Sequence, residues 1–261
     1  MNAYDKVMAA RDSKRLTAVD YINKMFGSSF IEMHGDRRFG DDKAIVGGLA
    51  MLYDQPITVI GIEKGRNTKE RMNRNFGSAN PEGYRKALRL MKQAEKFHRP
   101  VFCLVDTSGA YPGIGAEERG QGLAIAENLM EMMTLKTPVL SIIIGEGGSG
   151  GALALAVADE VWMLEDSIYS VISPEGCASI LWKDSSKAPE ASNCLKLTSH
   201  DLFDLGVIER IIREPVDSDD RKMFEGLKML IARTFEKNMA VDTDKLIETR
   251  YARFRKFGKK D

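Results

Sequence analysis

The chain has 261 residues, which is enough for one large domain or two small ones. Its 38 basic residues balance 38 acidic residues, so the charge favours neither a nucleic-acid surface nor a membrane surface. Three cysteines without metal-type spacing indicate a reducing cytosol rather than a disulfide framework. No apolar run is long enough to span a membrane, and the first 15 residues lack a signal-peptide core. We therefore expect a cytoplasmic protein.

Apolar periodicity and end signals predict alternating helices and strands along the chain. The predicted helices are Asn2–Arg11, Ala18–Phe26, Glu82–Phe97, Glu117–Met133, Ala152–Ala158, Pro174–Leu181, Lys187–Leu195, a short one after Thr198, Asp217–Asn238 and Thr243–Phe257. The predicted strands are Ala44–Tyr53, Ile57–Ile62, Val101–Val105, Val139–Ile144, Val161–Leu164, Ile168–Ile172 and Val207–Ile212. We expect an N-terminal helical segment over residues 1–40 and one domain over residues 41–261.

A basic segment follows the second predicted strand. Its cations are Lys64, Arg66, Lys69, Arg71 and Arg74. The helix after it is predicted to expose a second set of cations to solvent, namely Arg85, Lys86, Arg89 and Lys92. Because the basic segment and the basic helix face adjoin, a phosphate-bearing or acidic partner stays open as an alternative.

Two glycine-rich segments each follow a buried strand and precede a helix. They are Asp106–Gly115 and Gly145–Gly151. Each unit returns to a further strand, and such crossovers imply parallel pairing. Both segments are therefore predicted to be turns at the carboxyl ends of neighbouring strands, where ligands bind in parallel sheets. The helix between them is predicted to bury Leu123, Ala126, Leu129, Met130 and Met133.

The second glycine segment is open to several interpretations. Its spacing fits a dinucleotide fingerprint with Glu165 or Asp166 as the ribose ligand. It also fits a nucleophile elbow around Ser149 with His200 as the base. A third interpretation is an oxyanion hole made of backbone amides at a helix N-terminus, whose dipole favours negative charge. A glycine turn that only packs a helix on a sheet is a fourth, whereas the missing Lys-Ser/Thr after Gly150 excludes a P-loop.

Five longer strings resemble one protein family. They are DDKAIVGGLA from Asp41, KGRNTKERMNRNFGSANPEGYRKALRLM from Lys64, DTSGAYPGIGAEERGQ from Asp106, IGEGGSGGALALAVAD from Ile144 and YSVISPEGCASILWK from Tyr169. They are similar to the carboxyltransferase α subunits of bacterial acetyl-CoA carboxylases, from about Leu16 to the C-terminus. Ser108 departs from the family, because many members have proline there, and many members also carry an extra helical N-terminal segment.

The resemblance implies an α/β crotonase-like fold, a ββα superhelix, and half of an enzyme. The partner would be a zinc-containing β subunit in an α2β2 assembly, and this chain would hold no metal. The assembly would work with biotin carboxylase and the biotin carboxyl carrier protein, which carries the biotin cofactor. It would move a carboxyl group from carboxybiotin to acetyl-CoA, giving malonyl-CoA for fatty-acid synthesis.

Such a carboxyl transfer requires stabilisation of oxyanions and exclusion of water more than it requires titrating side chains. We therefore predict that the amides of Gly150 and Gly151 form an oxyanion hole. Other predicted site residues have secondary roles: Gly147 and Gly148 shape the turn, Gly109 and Ala110 form a second donor pair or a wall, and Arg66, Lys69 and Arg74 contact a phosphate or a partner. We expect Asp106 to cap its own loop, and Glu146 to be an orienting carboxylate or a turn residue.

Overall fold

The computed structural model describes residues 2–217 and 219–258. The strands are β1 Ile31–Glu32, β2 Ile45–Leu52, β3 Gln55–Ile62, β4 Val101–Thr107, β5 Val139–Gly148, β6 Glu160–Leu164, β7 Ile168–Ser170 and β8 Arg210–Ile212. The helices are α1 Ala3–Ala10, α2 Ala18–Phe26, α3 Thr68–Asn73, α4 Pro81–Lys96, α5 Ile114–Glu118, α6 Gln121–Thr134, α7 Ser149–Leu153, α8 Pro174–Trp182, α9 Ala188–Leu195, α10 Ser199–Asp204, α11 Arg221–Met239 and α12 Thr243–Arg255. The predicted helix Asp217–Asn238 includes residue 218, which lies outside the described residues.

All eight strands belong to one mixed sheet. Its order is β1-β2-β3-β4-β5-β6-β8, and β7 pairs with the carboxyl-terminal part of β5. The first two ladders are antiparallel and the others are parallel, so a β2–β3 hairpin followed by α4 leads into the parallel part. The predicted parallel pairing of the two strands that precede the glycine segments is confirmed, because β4 and β5 run side by side.

Helices cover both faces of the sheet. Val101, Cys103 and Val105 of β4 belong to a core shared with α4, α6 and the segment after α7. Phe102 and Leu104 point the other way, into a core shared with α2 and α11. Because both faces are buried, the central strands have continuous apolar sequences rather than alternating ones. No helix in the described part of the chain has the length and apolarity needed to cross a membrane.

The N-terminal residues join this architecture directly. Helix α2 contributes Tyr21, Ile22 and Phe26 to one core, and β1 adds a strand to the sheet edge beside β2. Helix α1 packs through Val7 and Ala10 in a small separate cluster. The division of the chain at residue 40 stays a prediction.

Helix α6 buries a different face from the predicted one. Leu123 and Met130 are 65% and 72% exposed and Ala126 is exposed as well, so the predicted inward face is wrong for these three residues, whereas Leu129 and Met133 pack against the core as predicted. The buried face includes Gln121, whose amide donates 2.8 Å hydrogen bonds to two loop carbonyls, and Asn128, which donates to the Ala154 carbonyl. These carbonyls need donors once they are buried, so the polar side chains face inward.

The basic face of α4 is not solvated as predicted. Lys86 is fully buried, with its ammonium 2.7 Å from Asp41 and 2.8 Å from the Ile45 carbonyl. Arg85 lies 2.8 Å from Asp36, and Arg89 donates to the Gly35 carbonyl. The segment of residues 34–42 thus folds over this face and occupies these three cations, which are therefore not available to a phosphate-bearing partner. The fourth cation, Lys92, is 45% exposed and pairs with Glu95 and Glu131.

Arg250 fastens the C-terminal helix to the sheet. This fully buried guanidinium pairs with Asp159 at 2.9 Å and donates to the carbonyls of Met132, Leu135 and Thr137. Asp159 in turn accepts the N–H of Val139 at the start of β5. The arrangement holds α12 against the amino-terminal end of the central strand.

We expect Arg250→Met to lower the free energy of unfolding by about 3–5 kcal/mol, because Asp159 would stay buried without its counter-ion. Urea titrations followed by circular dichroism would measure the loss. Arg255→Met is the matched control on the same helix, since Arg255 is exposed. An equal, small effect of both changes would contradict the anchoring role.

Candidate functional site

The second glycine segment is mostly strand. The turn predicted over Gly145–Gly151 is wrong for its first four residues, because β5 continues to Gly148. Gly147 pairs with Thr107 of β4 on one side and with Tyr169 of β7 on the other. These two ladders keep the glycines extended although local sequence favours a turn. The chain bends only at Ser149, whose φ of 52° lies in the left-handed region.

Helix α7 starts at that bend and is shorter than predicted. It spans Ser149–Leu153, five residues, so the predicted bounds of Ala152–Ala158 are wrong. The N–H groups of Gly150 and Gly151 lie in its first turn, where they have no acceptor within the helix. No side chain in the described part of the chain caps this helix. Because the helix is so short, its amides matter more than its macrodipole.

The two glycine segments contact each other. A Cβ on Gly148 would lie 2.2 Å from the Ser108 carbonyl oxygen, and a Cβ on Gly151 would lie 2.6 Å from the Ala110 nitrogen. Neither position can hold a side chain without displacing the neighbouring backbone. The N–H of Gly109 already donates to the Thr107 hydroxyl at 3.0 Å. The predicted donor or wall roles of Gly109 and Ala110 stay predictions.

Three strand ends and the residue that follows helix α1 together bring a group of largely buried charges next to these segments. We call Arg11, Lys64, Asp106 and Glu146 the strand-end cluster. The Lys64 ammonium lies 2.7 Å from Asp106 and 2.8 Å from Glu146, and Arg11 Nε lies 2.8 Å from Glu146. Asp106 also accepts the Glu146 N–H at 2.8 Å, so the prediction that it caps its own loop is wrong. Glu146 is an ion-paired carboxylate on a strand, not a turn residue.

The sequence predictions missed this cluster. Lys64, Asp106 and Glu146 lie near the carboxyl ends of three adjacent strands, so the predicted strand order contained a signal for their meeting. Arg11 comes from helix α1, 135 residues before Glu146, and no local pattern connects the two.

Opposite charges determine the protonation states of the cluster. Burial works to raise the pKa of Glu146, but the Lys64 ammonium and Arg11 outweigh it and hold that pKa below its ordinary value. Burial works to lower the pKa of Lys64, but Asp106 and Glu146 hold it above its ordinary value. Both side chains are therefore charged at neutral pH.

An apolar groove of about 360 Å³ opens beside the first turn of α7. Ser149 and Gly150 lie at its edge, and Arg253 is a polar residue of its wall. The remaining lining is mainly apolar and includes Leu153, Ala156, Val161, Tyr169, Val171, Leu202, Val207, Phe254 and Phe257. The groove thus offers apolar walls next to backbone N–H donors.

The predicted basic contacts lie in the segment that leads from β3 to α4. Arg66 is 54% exposed and lies 3.3 Å from Asp20, Lys69 is exposed, and Arg74 donates to the Lys43 carbonyl at 2.6 Å. A Cβ on Gly77 would lie 2.9 Å from the Asp106 carbonyl, so this segment folds over the end of β4. Contact of these cations with a phosphate or a partner stays a prediction.

The two rival interpretations lack the geometry that they need. Ser149 has the strained bend of an elbow, but no hydrogen bond joins it to His200, which is exposed and lies 4.0 Å from Glu165. In the dinucleotide interpretation the first two glycines should form the turn, yet they belong to β5, and Asp166 is paired with Lys6. Within the described ranges, no group of three or more His, Cys, Asp or Glu side chains is arranged to hold a metal ion.

Glycine-lined strand ends beside an apolar groove define the chain as a crotonase-like protein. Its fold is shared with transcarboxylase 12S with methylmalonyl-coenzyme A and methylmalonic acid bound, at a TM-score of 0.68 and 20% identity, over 85% of this chain and 43% of that one. It is also shared with a Pseudomonas malonate decarboxylase hetero-tetramer in complex with coenzyme A, at 0.70 and 15% identity, over 92% of this chain and 98% of that one. The predicted crotonase-like fold is confirmed.

The chain belongs to the acetyl co-enzyme A carboxylase carboxyltransferase-like family, whose model matches residues 1–258. It is 61% identical to the acetyl-coenzyme A carboxylase carboxyl transferase subunit alpha of Ruminiclostridium cellulolyticum, over 99% of this chain and 98% of that protein. It is 58% identical to the subunit of the same name from Streptococcus pyogenes serotype M5, over 95% of this chain and 96% of that protein. The family resemblance is confirmed.

We expect Gly151→Ala to reduce carboxyltransferase activity at least about tenfold, because its Cβ would push the two glycine segments apart while the amide is kept. Gly226→Ala on α11 is the control, since a Cβ there would meet nothing within 4 Å. Steady-state kinetics of both variants would check this, and equal activities would contradict the need for close approach.

We expect the Glu146 carboxylate to stabilise the folded protein at neutral pH and to lose this stabilising effect as pH falls. A carboxyl with a lowered folded pKa contributes its full stability above its ordinary value of 4.5 and loses it as pH falls through the folded pKa. The difference in unfolding free energy between wild type and Glu146→Gln should therefore shrink below about pH 4.5. Urea titrations from pH 3 to 8 would measure it. The exposed Glu118→Gln is the control, and a difference that is constant with pH would contradict the prediction.

Proposed function

We propose that this chain is the α subunit of an acetyl-CoA carboxylase carboxyltransferase. It transfers the carboxyl group from carboxybiotin to acetyl-CoA and gives malonyl-CoA for fatty-acid synthesis. The observation that carries the proposal is the pair of first-turn amides at Gly150 and Gly151 beside an apolar groove. Relatives about 60% identical over nearly the whole chain, named as this subunit, support it.

The groove fits the group that the reaction needs. The biotin ring system joins an apolar thioether ring to a ureido ring with a carbonyl oxygen, and the groove offers apolar walls with N–H donors at one edge. Carboxybiotin supplies the carboxyl group and leaves negative charge on its ureido oxygen. We infer that Gly150 and Gly151 donate to that oxygen through their backbone amides. Each such donor is worth roughly 3–4 kcal/mol of transition-state stabilisation.

The donors that we propose are backbone amides, so this chain contributes no side-chain acid or base to the reaction. An amide N–H does not titrate in the neutral range, so the donors stay constant while charge develops. Tyr169, Phe254 and Leu153 exclude water from the groove wall and strengthen the electrostatic interaction with these donors. The predicted contacts of Arg66, Lys69 and Arg74 with phosphate or partner belong to this proposal.

The proposal includes partners. The name of the relatives, subunit alpha, supports a complex with a β subunit, which we infer is α2β2 and completes the site. Exposed apolar side chains support a further contact surface, among them Leu123 and Met130 on α6 and Ile180, Leu181 and Trp182 on α8. We further propose the biotin carboxyl carrier protein and biotin carboxylase as working partners, in the cytoplasm.

Reconstitution tests the function. We expect the chain alone to be inactive and its mixture with the cognate β subunit to decarboxylate malonyl-CoA in the presence of biocytin, because the chain supplies only one side of the site. Coupled spectrophotometric assays would measure both. Activity of the chain alone would contradict a shared site.

Ser149 distinguishes this function from hydrolysis. Ser149→Ala in the same mixture should keep activity within about threefold, since the backbone amides are unchanged. Loss of all activity, together with labelling of wild type by a fluorophosphonate, would support a serine nucleophile instead.

A further inference from the structure

The bend at Ser149 has little side-chain support of its own. Gly147 and Gly148 carry no side chain, and Ser149 is exposed and has φ of 52°. Going back from the bend, Glu146 is therefore the first residue whose side chain can hold β5 in place. Because glycine restrains its backbone less than any other residue, the position of the bend depends on the ladders to β4 and β7 and on how firmly Glu146, the nearest side chain on β5, is held.

Glu146 is held on three sides. Its N–H donates to Asp106 on β4, and its two carboxylate oxygens each accept from a different cation, Lys64 at 2.8 Å and Arg11 at 2.8 Å. The residue is 9% exposed. Charge-assisted hydrogen bonds at these lengths in a buried site restrain a side chain more strongly than neutral ones.

Arg11 also contacts helix α8, which follows the strand that borders the end of β5. Its guanidinium lies 2.7 Å from Glu175 in the first turn of α8. The chain leading into α8 includes β7, which pairs with β5 over residues 146–148. One guanidinium therefore connects β5 to the element that borders its last residues.

We propose that Glu146, held by Lys64 and Arg11, is a positioning residue that sets the direction of the Gly150 and Gly151 amides. This inference rests on the proposed function, in which those amides bind the oxyanion. In this role Glu146 acts through the residues that follow it on the chain, so its loss should misplace the donors and leave binding elsewhere in the site unchanged.

A buried ion pair can also serve stability alone, and β5 offers an internal comparison. Asp159, paired with Arg250 at 2.9 Å, accepts the Val139 N–H at the amino-terminal end of the same strand. That pair lies at the end of β5 away from the bend. Asp159→Asn therefore removes a buried carboxylate charge that contacts the amino-terminal end of β5, and Glu146→Gln removes one near its carboxyl-terminal end. Only Glu146 lies next to the bend.

The experiment compares these variants in the complex with the β subunit, using malonyl-CoA decarboxylation with biocytin. We expect Glu146→Gln to lower kcat at least about tenfold while KM for malonyl-CoA changes less than about twofold, because only donor placement is lost. Asp159→Asn should lower Tm by about as much as Glu146→Gln does. It should keep kcat per assembled complex within about twofold of the wild-type value. Size-exclusion chromatography gives the assembled fraction.

A kcat of Glu146→Gln equal to that of Asp159→Asn would overturn the inference. Gly151→Ala separates this result from failure of the proposed function, because it displaces the donors directly and leaves the strand-end cluster intact. If Glu146→Gln does not assemble, Arg11→Met is the alternative variant. It removes one of the two cations that hold Glu146, and it changes a partly exposed side chain rather than a buried one. It should lower kcat about threefold or more with KM unchanged, and an unchanged kcat would overturn the inference equally.

Discussion

The site depends on the parallel ladder between β4 and β5. Because the two strands run in the same direction, their carboxyl ends and the segments after them meet at one edge of the sheet. Thr107 pairs with Gly147 there, and the backbone around Ala110 lies against Gly151. The bend at Ser149, the glycine contacts and the strand-end cluster all require these two strand ends to be held side by side.

The same edge brings together two kinds of polar group. Backbone N–H groups lie at the bend, where they have no acceptor within α7. Charged side chains lie close to it and are paired among themselves. Since Lys64 and Glu146 largely neutralise each other, the site can hold fixed donors for a developing negative charge without a mobile proton nearby.

Apolar runs and end signals predicted β2 to β8, most helices and the meeting of the two glycine segments, whereas β1 and α3 were not predicted. The extension of β5 to Gly148 could not be predicted, because glycine favours turns and the glycines are kept extended by strands that are distant in sequence, through pairs such as those of Gly147 with Thr107 and Tyr169. The buried face of α6 was missed since Gln121 turns inward to meet loop carbonyls. Lys86 on α4 was assigned to solvent because no neighbouring residue indicates its partner. That partner, Asp41, lies 45 residues away in an irregular segment.

Arg11 has a consequence for the order in which this protein folds. Its two acceptors, Glu146 and Glu175, are 135 and 164 residues further along the chain. Contacts of such sequence separation form late, because a long loop must be closed before they contribute. During synthesis, helix α1 leaves the ribosome early. Arg11 cannot contact both of its acceptors until about two thirds of the chain has been made. The contacts of Arg11 with β5 and with α8 together therefore require at least the first 175 residues of the chain.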